Sequence, residues 1–144
     1  MSKVALVTGG AKGIGAAIVK ELANAGYDVV VNYLTSKEKA KALANELSLL
    51  GVNVLTYQCD VSKEDEVDKM VSFIESKLGT VDILINNAAV DLSTVWSEKT
   101  SDDFRKTLDV NVVGAFNVAR RVKKGMMDKK WGRIINISST NGIN

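Results

Sequence analysis

Residues 4–15 have the sequence VALVTGGAKGIG, and the apolar stretch AAIV follows directly at 16–19. The first four residues are typical of a buried strand, and the glycine-rich segment is typical of a tight turn into a helix. Such a turn presents backbone N–H groups and a helix N-terminus to a pyrophosphate, and glycines let the main chain approach the phosphates closely. The stretch therefore predicts a dinucleotide site on an α/β fold.

The composition indicates one domain, 1–144, of ordinary globular character. The chain has 144 residues, of which 46% are hydrophobic and 25% are charged, with a formal net charge of +2. The charges are interspersed, so no nucleic-acid partner is indicated. No apolar run reaches the length of a bilayer, and no secretion signal precedes the first strand, so we expect no membrane association and a cytoplasmic location.

Two residue types exclude whole classes of chemistry. The chain contains no histidine and a single cysteine, Cys59. An internal disulfide, a Ser-His-Asp triad, a Cys-His pair and a zinc cluster of the usual type are therefore ruled out, and no metal site is predicted.

Apolar runs and amphipathic stretches alternate along the chain. We predict strands near 3–8, 28–33, 52–58, 81–86 and 132–138, and helices near 13–25, 36–50, 63–78 and 101–129. This alternation predicts a doubly wound parallel sheet of Rossmann-like type, with strand order 3-2-1-4-5 and helices on both faces. Ser36, Ser62 and Ser101 are predicted N-caps, and Gly26, Gly51 and Gly79 follow the preceding helices.

The last helix and the last strand carry many apolar residues. On the helix they recur at the spacing of one face, at Phe104, Leu108, Val112, Ala115, Phe116, Ala119, Val122 and Met126. We interpret them as core, with a partner-helix role as the alternative. The strand predicted at 132–138 has the apolar composition of a buried strand. As the fifth strand, however, it is expected to present an unpaired edge, which favours association with a partner.

The glycine turn does not match the most common nucleotide motifs. Gly13-Ile14-Gly15-Ala16-Ala17-Ile18 lacks the third glycine of the usual dinucleotide fingerprint, and no Lys-Ser or Lys-Thr follows Gly15 as a P-loop requires. The segment Thr8 to Gly15 matches the T-G-x-x-x-G-x-G turn of the short-chain dehydrogenase/reductase family. A strand-to-helix turn without a ligand is the alternative for this motif alone.

Four further motifs follow in the family's order. They are Asp60-Val61 after the third strand, Asn86-Asn87-Ala88-Ala89 after the fourth, Asn111 on the long helix, and Ser138-Ser139 closing the fifth strand. Ala89 replaces the glycine of the family's N-N-A-G segment. The chain thus resembles this family from residue 3 to 144, and it is most similar to the branch of 3-oxoacyl-acyl-carrier-protein reductases and glucose-dehydrogenase-like enzymes.

The resemblance implies a nicotinamide cofactor. Its predicted binding residues are Gly9, Lys12, Gly13, Ile14, Gly15, Asn32, Asp60, Val61, Asn87 and Ala88. An acidic residue at the end of the second strand would repel a 2′-phosphate, but this chain has Asn32 there, and Lys12 adds positive charge nearby. We therefore predict NADP, with NAD still possible. A solvated turn lysine is the alternative interpretation of Lys12.

The resemblance also implies catalytic roles for two residues. Ser139 takes the place of the serine that binds the substrate oxygen, and Asn111 takes the place of the helix asparagine. A strand-end hydroxyl bonded to nearby backbone is the alternative for Ser139. The family's Tyr-x-x-x-Lys pair, expected on the helix after Ser139, is not in these 144 residues. Tyr33 and Lys37 have the same spacing, but they follow the second strand at the adenosine end of the site.

The sequence therefore predicts the amino-terminal part of an NADP(H)-dependent reductase. The expected substrate is a small carbonyl compound or acyl thioester, and the catalytic and substrate-binding carboxy-terminal part is expected to lie outside the chain. The isolated chain is predicted to be nearly inactive, because general acid–base help contributes about 10²–10⁴ in rate. We expect a homo-oligomer or association with the missing part. A non-catalytic dinucleotide-binding or interaction module is the alternative.

Overall fold

A computed structural model describes residues 2–92 and 95–140. The strands are β1 (Val4–Val7), β2 (Asp28–Tyr33), β3 (Val54–Gln58), β4 (Val81–Asn86) and β5 (Arg133–Asn136). The helices are α1 (Gly13–Asn24), α2 (Lys37–Leu47), α3 (Glu64–Lys77), α4 (Ser101–Leu108) and α5 (Ala115–Asp128). Short 3₁₀ turns cover Ser48–Leu50 and Trp96–Glu98, and a π-helical segment covers Asp109–Gly114.

The five strands form one parallel sheet in the order β3-β2-β1-β4-β5, which confirms the predicted topology. Within β1, Val4 pairs with Asp28 of β2 and Val7 pairs with Val31, while Val7 also pairs with Ile85 of β4. The strand order thus switches sides at β1, with β2 and β3 on one side of it and β4 and β5 on the other. In such sheets the carboxyl ends of the strands on either side of this switch point frame the ligand crevice.

Alternate residues of the strands face two separate core layers. On one face, Leu6 and Leu84 pack in a cluster with residues of α3 and α5 such as Met70 and Val118. On the other face, Val7 belongs to a cluster with residues of α1 and α2. Because both faces of the central strands are covered, β1, β2 and β4 are buried along their whole length, and the sequence reads there as nearly continuous apolar runs.

Two of the three predicted N-caps are wrong by one residue. Lys63 and not Ser62 precedes α3, because the Ser62 N–H and Oγ–H both donate to Asp60 Oδ1 in a turn before the helix. Thr100 and not Ser101 caps α4, where it forms a capping box with Asp103. Ser36 does occupy the cap position of α2, but its side chain makes no capping hydrogen bond.

The predicted glycine helix ends are confirmed. Gly26, Gly51 and Gly79 all have positive φ, at 87°, 76° and 94°, in the left-handed region that helix C-termini favour.

The predicted single helix at 101–129 is interrupted by the π-helical segment. The interpretation of its apolar residues as core is wrong for Phe104, Leu108, Val112 and Phe116, which are exposed, whereas Val122 and Met126 are buried. The segment shifts the helical phase, so the face that the sequence spacing joins into one stripe is divided between core and surface.

The last strand is also more exposed than its sequence indicates. β5 pairs with β4, and all four of its residues are exposed. In the strand order of the described residues, β5 is the last strand on this side of the sheet. In the part of the chain described, no helix is both long and apolar enough to traverse a lipid bilayer.

Candidate functional site

The glycine turn after β1 is fastened to the end of β2. Gly10 N–H donates to the Asn32 carbonyl at 2.9 Å, and Gly9 N–H donates to Asn32 Oδ1 at 3.2 Å. Gly9 has φ of 60°, a conformation that favours glycine. Asn32 is thus buried within the scaffold, where its Nδ2 also donates to the Cys59 carbonyl at 3.1 Å. Its amide positions the turn, and its neutral side chain places no negative charge there.

The N-terminus of α1 is open toward solvent. Lys12 occupies the cap position without a side-chain capping bond, and no acidic residue lies in the first turn. The first backbone N–H groups of a helix have no partner within it and carry a partial positive charge. This end of α1 is therefore chemically suited to a phosphate.

Gly15 allows the turn to close. A Cβ at Gly15 would collide with the Gly9 carbonyl and lie 2.6 Å from Asn87 Nδ2. Gly13 differs, since it has φ of 57° and no neighbouring heavy atom within 4 Å of an added Cβ. Gly15 is thus required by close packing and Gly13 by backbone conformation.

Thr8 and Asn87 connect the carboxyl ends of β1 and β4. Thr8 Oγ1 accepts hydrogen bonds from the N–H groups of Asn87 and Ala88, both at 3.0 Å. Asn87 Nδ2 donates to the carbonyls of Thr8 and Gly9, both at 3.1 Å. These bonds hold the two sides of the switch point together and aim the segment after β4 across the glycine turn.

A cleft of about 500 Å³ opens above this junction. Its lining includes every predicted cofactor residue except Gly15, namely Gly9, Lys12, Gly13, Ile14, Asn32, Asp60, Val61, Asn87 and Ala88. Gly15 is buried behind the turn. The three-dimensional structure thus brings together residues that are spread over eighty positions of the chain.

One end of the cleft is formed by the segments after β2 and β3. Thr35 and Ser36 line it together with Tyr33, which is buried. Tyr33 therefore lies at the end of the cleft that the sequence assigned to adenosine, away from Ser139. Lys12 also lines this cleft and is exposed.

Asp60 and Cys59 form the floor near β3. Asp60 Oδ1 accepts hydrogen bonds from Ser62, and the Asp60 N–H donates to Glu66 Oε2 at 2.8 Å. Burial, with Glu66 and then Asp60 as negative neighbours, raises the pKa of the Cys59 thiol to about 12. Cys59 is thus an uncharged, inert wall residue at neutral pH.

A second cavity of about 330 Å³ adjoins the first, and Ile14, Val61, Asn87, Ala88 and Ala89 line both. Ser139 and Asn111 line the second cavity, so the structure brings the two predicted catalytic residues to one place. Ser139 follows β5 and is exposed. Asn111 lies in the π-helical segment, where its Oδ1 accepts from Val90 N–H at 2.8 Å and its Nδ2 donates to the Val90 carbonyl at 3.1 Å.

Two further asparagines lie near this cavity. Asn86 belongs to the predicted motif after β4 but was not among the predicted cofactor residues, and Asn117 was not singled out in the sequence. Asn86 Nδ2 donates to Asn136 Oδ1 at 2.9 Å and to the Ala115 carbonyl at 3.3 Å. Asn117 Nδ2 donates to the Val61 carbonyl at 3.0 Å. A polar residue on an otherwise core-facing helix turn is a signal that could have identified Asn117, but its partner lies 56 residues away and only the fold reveals it.

The sequence profile described as short chain dehydrogenase matches residues 3–144. Among characterised proteins, the acetoacetyl-CoA reductase of Paracoccus denitrificans is 40% identical over 142 residues, and a 3-oxoacyl-acyl-carrier-protein reductase of Staphylococcus epidermidis is 39% identical. Each alignment covers 99% of this chain but 57% and 58% of the respective relative. The chain therefore spans less than three fifths of the length of these relatives.

Solved structures also match this chain over slightly more than half of their own length. A blue fluorescent protein from a metagenomic library, in complex with NADPH, superimposes with a TM-score of 0.88 at 41% identity, covering 96% of this chain and 56% of that one. A mutant short-chain dehydrogenase/reductase of Serratia marcescens superimposes with a TM-score of 0.90 at 39% identity, covering 99% and 57%.

Proposed function

The chain belongs to the short-chain dehydrogenase family, and from this premise we propose that it binds NADP(H) and forms the amino-terminal part of a carbonyl reductase. One observation carries the proposal: the glycine turn and Ser139 lie along two adjoining cavities that share a wall of five residues. We propose that a single extended ligand runs past these shared residues, from the open end of α1 to Ser139.

The residues present fit a dinucleotide phosphate. The open N-terminus of α1 accommodates the pyrophosphate, and the lack of Cβ atoms at Gly9 and Gly15 allows the close approach of the turn. Lys12, Thr35 and Ser36 are the proposed contacts of a 2′-phosphate, since the cation and the hydroxyl groups surround the adenosine end without an acidic residue at position 32. Asp60 and Val61 are the proposed adenine contacts.

At the other end, the bound NADPH would supply hydride to a carbonyl carbon. Ser139 is proposed to donate a hydrogen bond to the carbonyl oxygen, where negative charge develops during reduction. Asn111 is proposed to act from the π-helical segment, where it holds the backbone of Val90 beside the cavity. These two residues are proposed to bind and orient, and neither is the proposed proton donor.

We further propose that the proton donor is a Tyr-x-x-x-Lys pair that follows Ser139 in the longer protein and that the present chain alone has negligible turnover. The proposed substrate is a ketone such as a 3-oxoacyl thioester, in keeping with the names of the two relatives. We also propose a cytoplasmic location, with which the buried free thiol of Cys59 is compatible.

Association through the surface of α4, the π-helical segment and α5 is part of the proposal. Phe104 and Phe116 are 59% and 62% exposed there, and Val112 is 58% exposed. Apolar side chains of this size are usually covered when they lie close together on one surface. A homo-oligomer or contact with the carboxy-terminal part would cover them.

The first experiment is a fluorescence titration of the chain with NADPH and NADH at fixed ionic strength. We expect NADPH to bind more tightly, because Lys12 and the hydroxyl groups of Thr35 and Ser36 favour the additional phosphate. Equal affinities would contradict the proposed role of Lys12. Lack of binding of either nucleotide would contradict the proposed function as a whole.

The exposed apolar surface also favours the alternative, a non-catalytic dinucleotide-binding or interaction module. The coding sequence beyond Asn144 separates the two functions. A Tyr-x-x-x-Lys segment followed by a further strand supports the reductase, whereas a stop codon supports the module.

A further inference from the structure

Val61 lies at the junction of the two cavities. It is 5% exposed, and it lines both the cleft above the glycine turn and the cavity beside Ser139. Its neighbour Asp60 is held by the turn that its carboxylate forms with Ser62. Val61 also contacts a different element, the continuous helix formed by the end of the π-helical segment and the start of α5.

Two residues of that helix support Val61. Asn117 is 5% exposed, and its Nδ2 donates to the Val61 carbonyl at 3.0 Å. Gly114, one turn earlier, is buried, and a Cβ there would lie 2.6 Å from Val61 Cγ2. Residues three apart on a helix share a face, so Gly114 and Asn117 together form a seat for both the side chain and the backbone of Val61.

Of the two contacts, the Asn117 hydrogen bond is the one that determines the orientation of the Val61 backbone. A buried carbonyl that loses its donor costs free energy, and the segment can then rotate to reach another partner. The apolar contact with Gly114 is non-directional and does not prevent such rotation. Without Asn117, the Val61 carbonyl would lose its donor, and the Asp60–Lys63 turn would hold this part of the wall without that bond.

We propose that Asn117 is a positioning residue for the cofactor, holding Val61 as the wall between the adenosine end and the Ser139 end of the site. The inference rests on the proposed NADP(H) function and adds a residue outside the family motifs identified in the sequence. Asn117 acts through Val61, since it does not line either cavity.

The test is Asn117→Leu, which keeps the branching at Cγ but has no donor. NADPH and adenosine 2′,5′-bisphosphate are titrated by calorimetry at fixed ionic strength, well below the melting temperature of each variant. We expect both ligands to bind on the order of tenfold more weakly, as loss of a buried hydrogen bond that positions a contact residue predicts. Gly114→Ala, which presses a methyl group onto Val61 Cγ2, is a second variant with the same expected direction.

Val122→Ala is the matched control, because Val122 is buried on the same helix but lines neither cavity. It should lower the melting temperature and leave both affinities unchanged. If Val122→Ala weakens binding as much as Asn117→Leu, the effect is one of stability, and the positioning role is wrong.

If the wild type binds NADPH and the folded Asn117 and Gly114 variants bind both ligands with the same affinities, the inference is wrong. The proposed function then stands. Absence of NADPH binding by the wild type overturns both. If Asn117→Leu does not fold, Asn117→Ala, which removes the donor without adding volume, decides between these outcomes.

Discussion

The side chain of Asn111 forms two hydrogen bonds with the backbone of Val90, accepting its N–H at 2.8 Å and donating to its carbonyl at 3.1 Å. Asparagine is unfavourable in a helix interior unless its amide has a polar partner. The partner here is the segment that follows β4 and borders both cavities. The two hydrogen bonds therefore fasten the π-helical segment to the segment after β4.

Replacing Asn111 with Ala should release this segment. We expect the Val90 amide to exchange with deuterium about tenfold faster or more, because the N–H loses its acceptor. Hydrogen exchange followed by NMR measures this. The Asn53 amide, which donates to Asp28 at a remote site, serves as the internal control. Unchanged protection of Val90 would show that the hydrogen bond does not order the segment.

The two glycines of the turn should differ sharply on substitution by Ala. Gly15→Ala would drive a methyl group into the Gly9 carbonyl and Asn87, and we expect a loss of roughly 2–4 kcal/mol in the free energy of unfolding. Gly13→Ala meets no neighbour within 4 Å, so only its positive φ is penalised, by about 1–2 kcal/mol. Denaturant unfolding compares the two variants. A smaller loss for Gly15 would contradict the close packing.

Lys12→Met should reduce the preference for NADPH over NADH. Methionine keeps the length of the side chain and removes its charge, and we expect about tenfold weaker NADPH binding with NADH little changed. Because Lys12 is exposed, the effect should shrink as salt rises. Lys39→Met, an exposed lysine on α2, is the control. Identical NADPH affinities for Lys12→Met and wild type would favour a merely solvated turn lysine.

Cys59 should make stability depend on alkaline pH. The pKa of its thiol is raised from 9.0 to about 12 in the folded state, so folding favours the protonated form. The resulting contribution of Cys59 to the free energy of unfolding is complete below pH 9, and it is lost as the pH rises toward about 12. The difference in unfolding free energy between wild type and Cys59→Ala should therefore narrow over that range. A difference that does not change with pH would contradict the raised pKa.

Asp82 should stabilise the end of the sheet at which the strands begin, opposite the cleft. Its Oδ2 accepts the Val4 N–H and its Oδ1 accepts Lys129 Nζ, both at 2.9 Å. Asp82→Ala leaves a buried N–H unpaired, and we expect a loss of about 1–3 kcal/mol by thermal or denaturant unfolding. Lys129→Ala should cost less than about 1 kcal/mol, because the Lys129 side chain is half exposed. Equal losses would assign the stabilisation to the ion pair.

The order of the strands and the position of the glycine turn were predictable because their signals are local. Each of β1, β2 and β4 is buried on both faces and reads as an apolar run, and each predicted helix-ending glycine has the positive φ that its position requires. The parallel arrangement then follows from the alternation of strands and helices.

The caps of α3 and α4 were less predictable because several residues near each helix start can accept or donate the same bonds. Ser62 satisfies Asp60 instead of the helix, and Thr100 completes a box with Asp103. The exposure of Phe104 and Phe116 could not be read from spacing, since the π-helical segment changes the phase between α4 and α5.

The sequence by itself determined the α/β class, the strand order and the family motifs, because hydrophobic period, turn chemistry and motif spacing are properties of neighbouring residues. Only the tertiary structure decided which groups meet across the cleft. Val61 rests on Asn117 and Val90 is held by Asn111, and both pairs join segments that lie far apart in the chain. Their partners are set by how the helix packs on the sheet, and packing of distant elements leaves no local signal in the sequence.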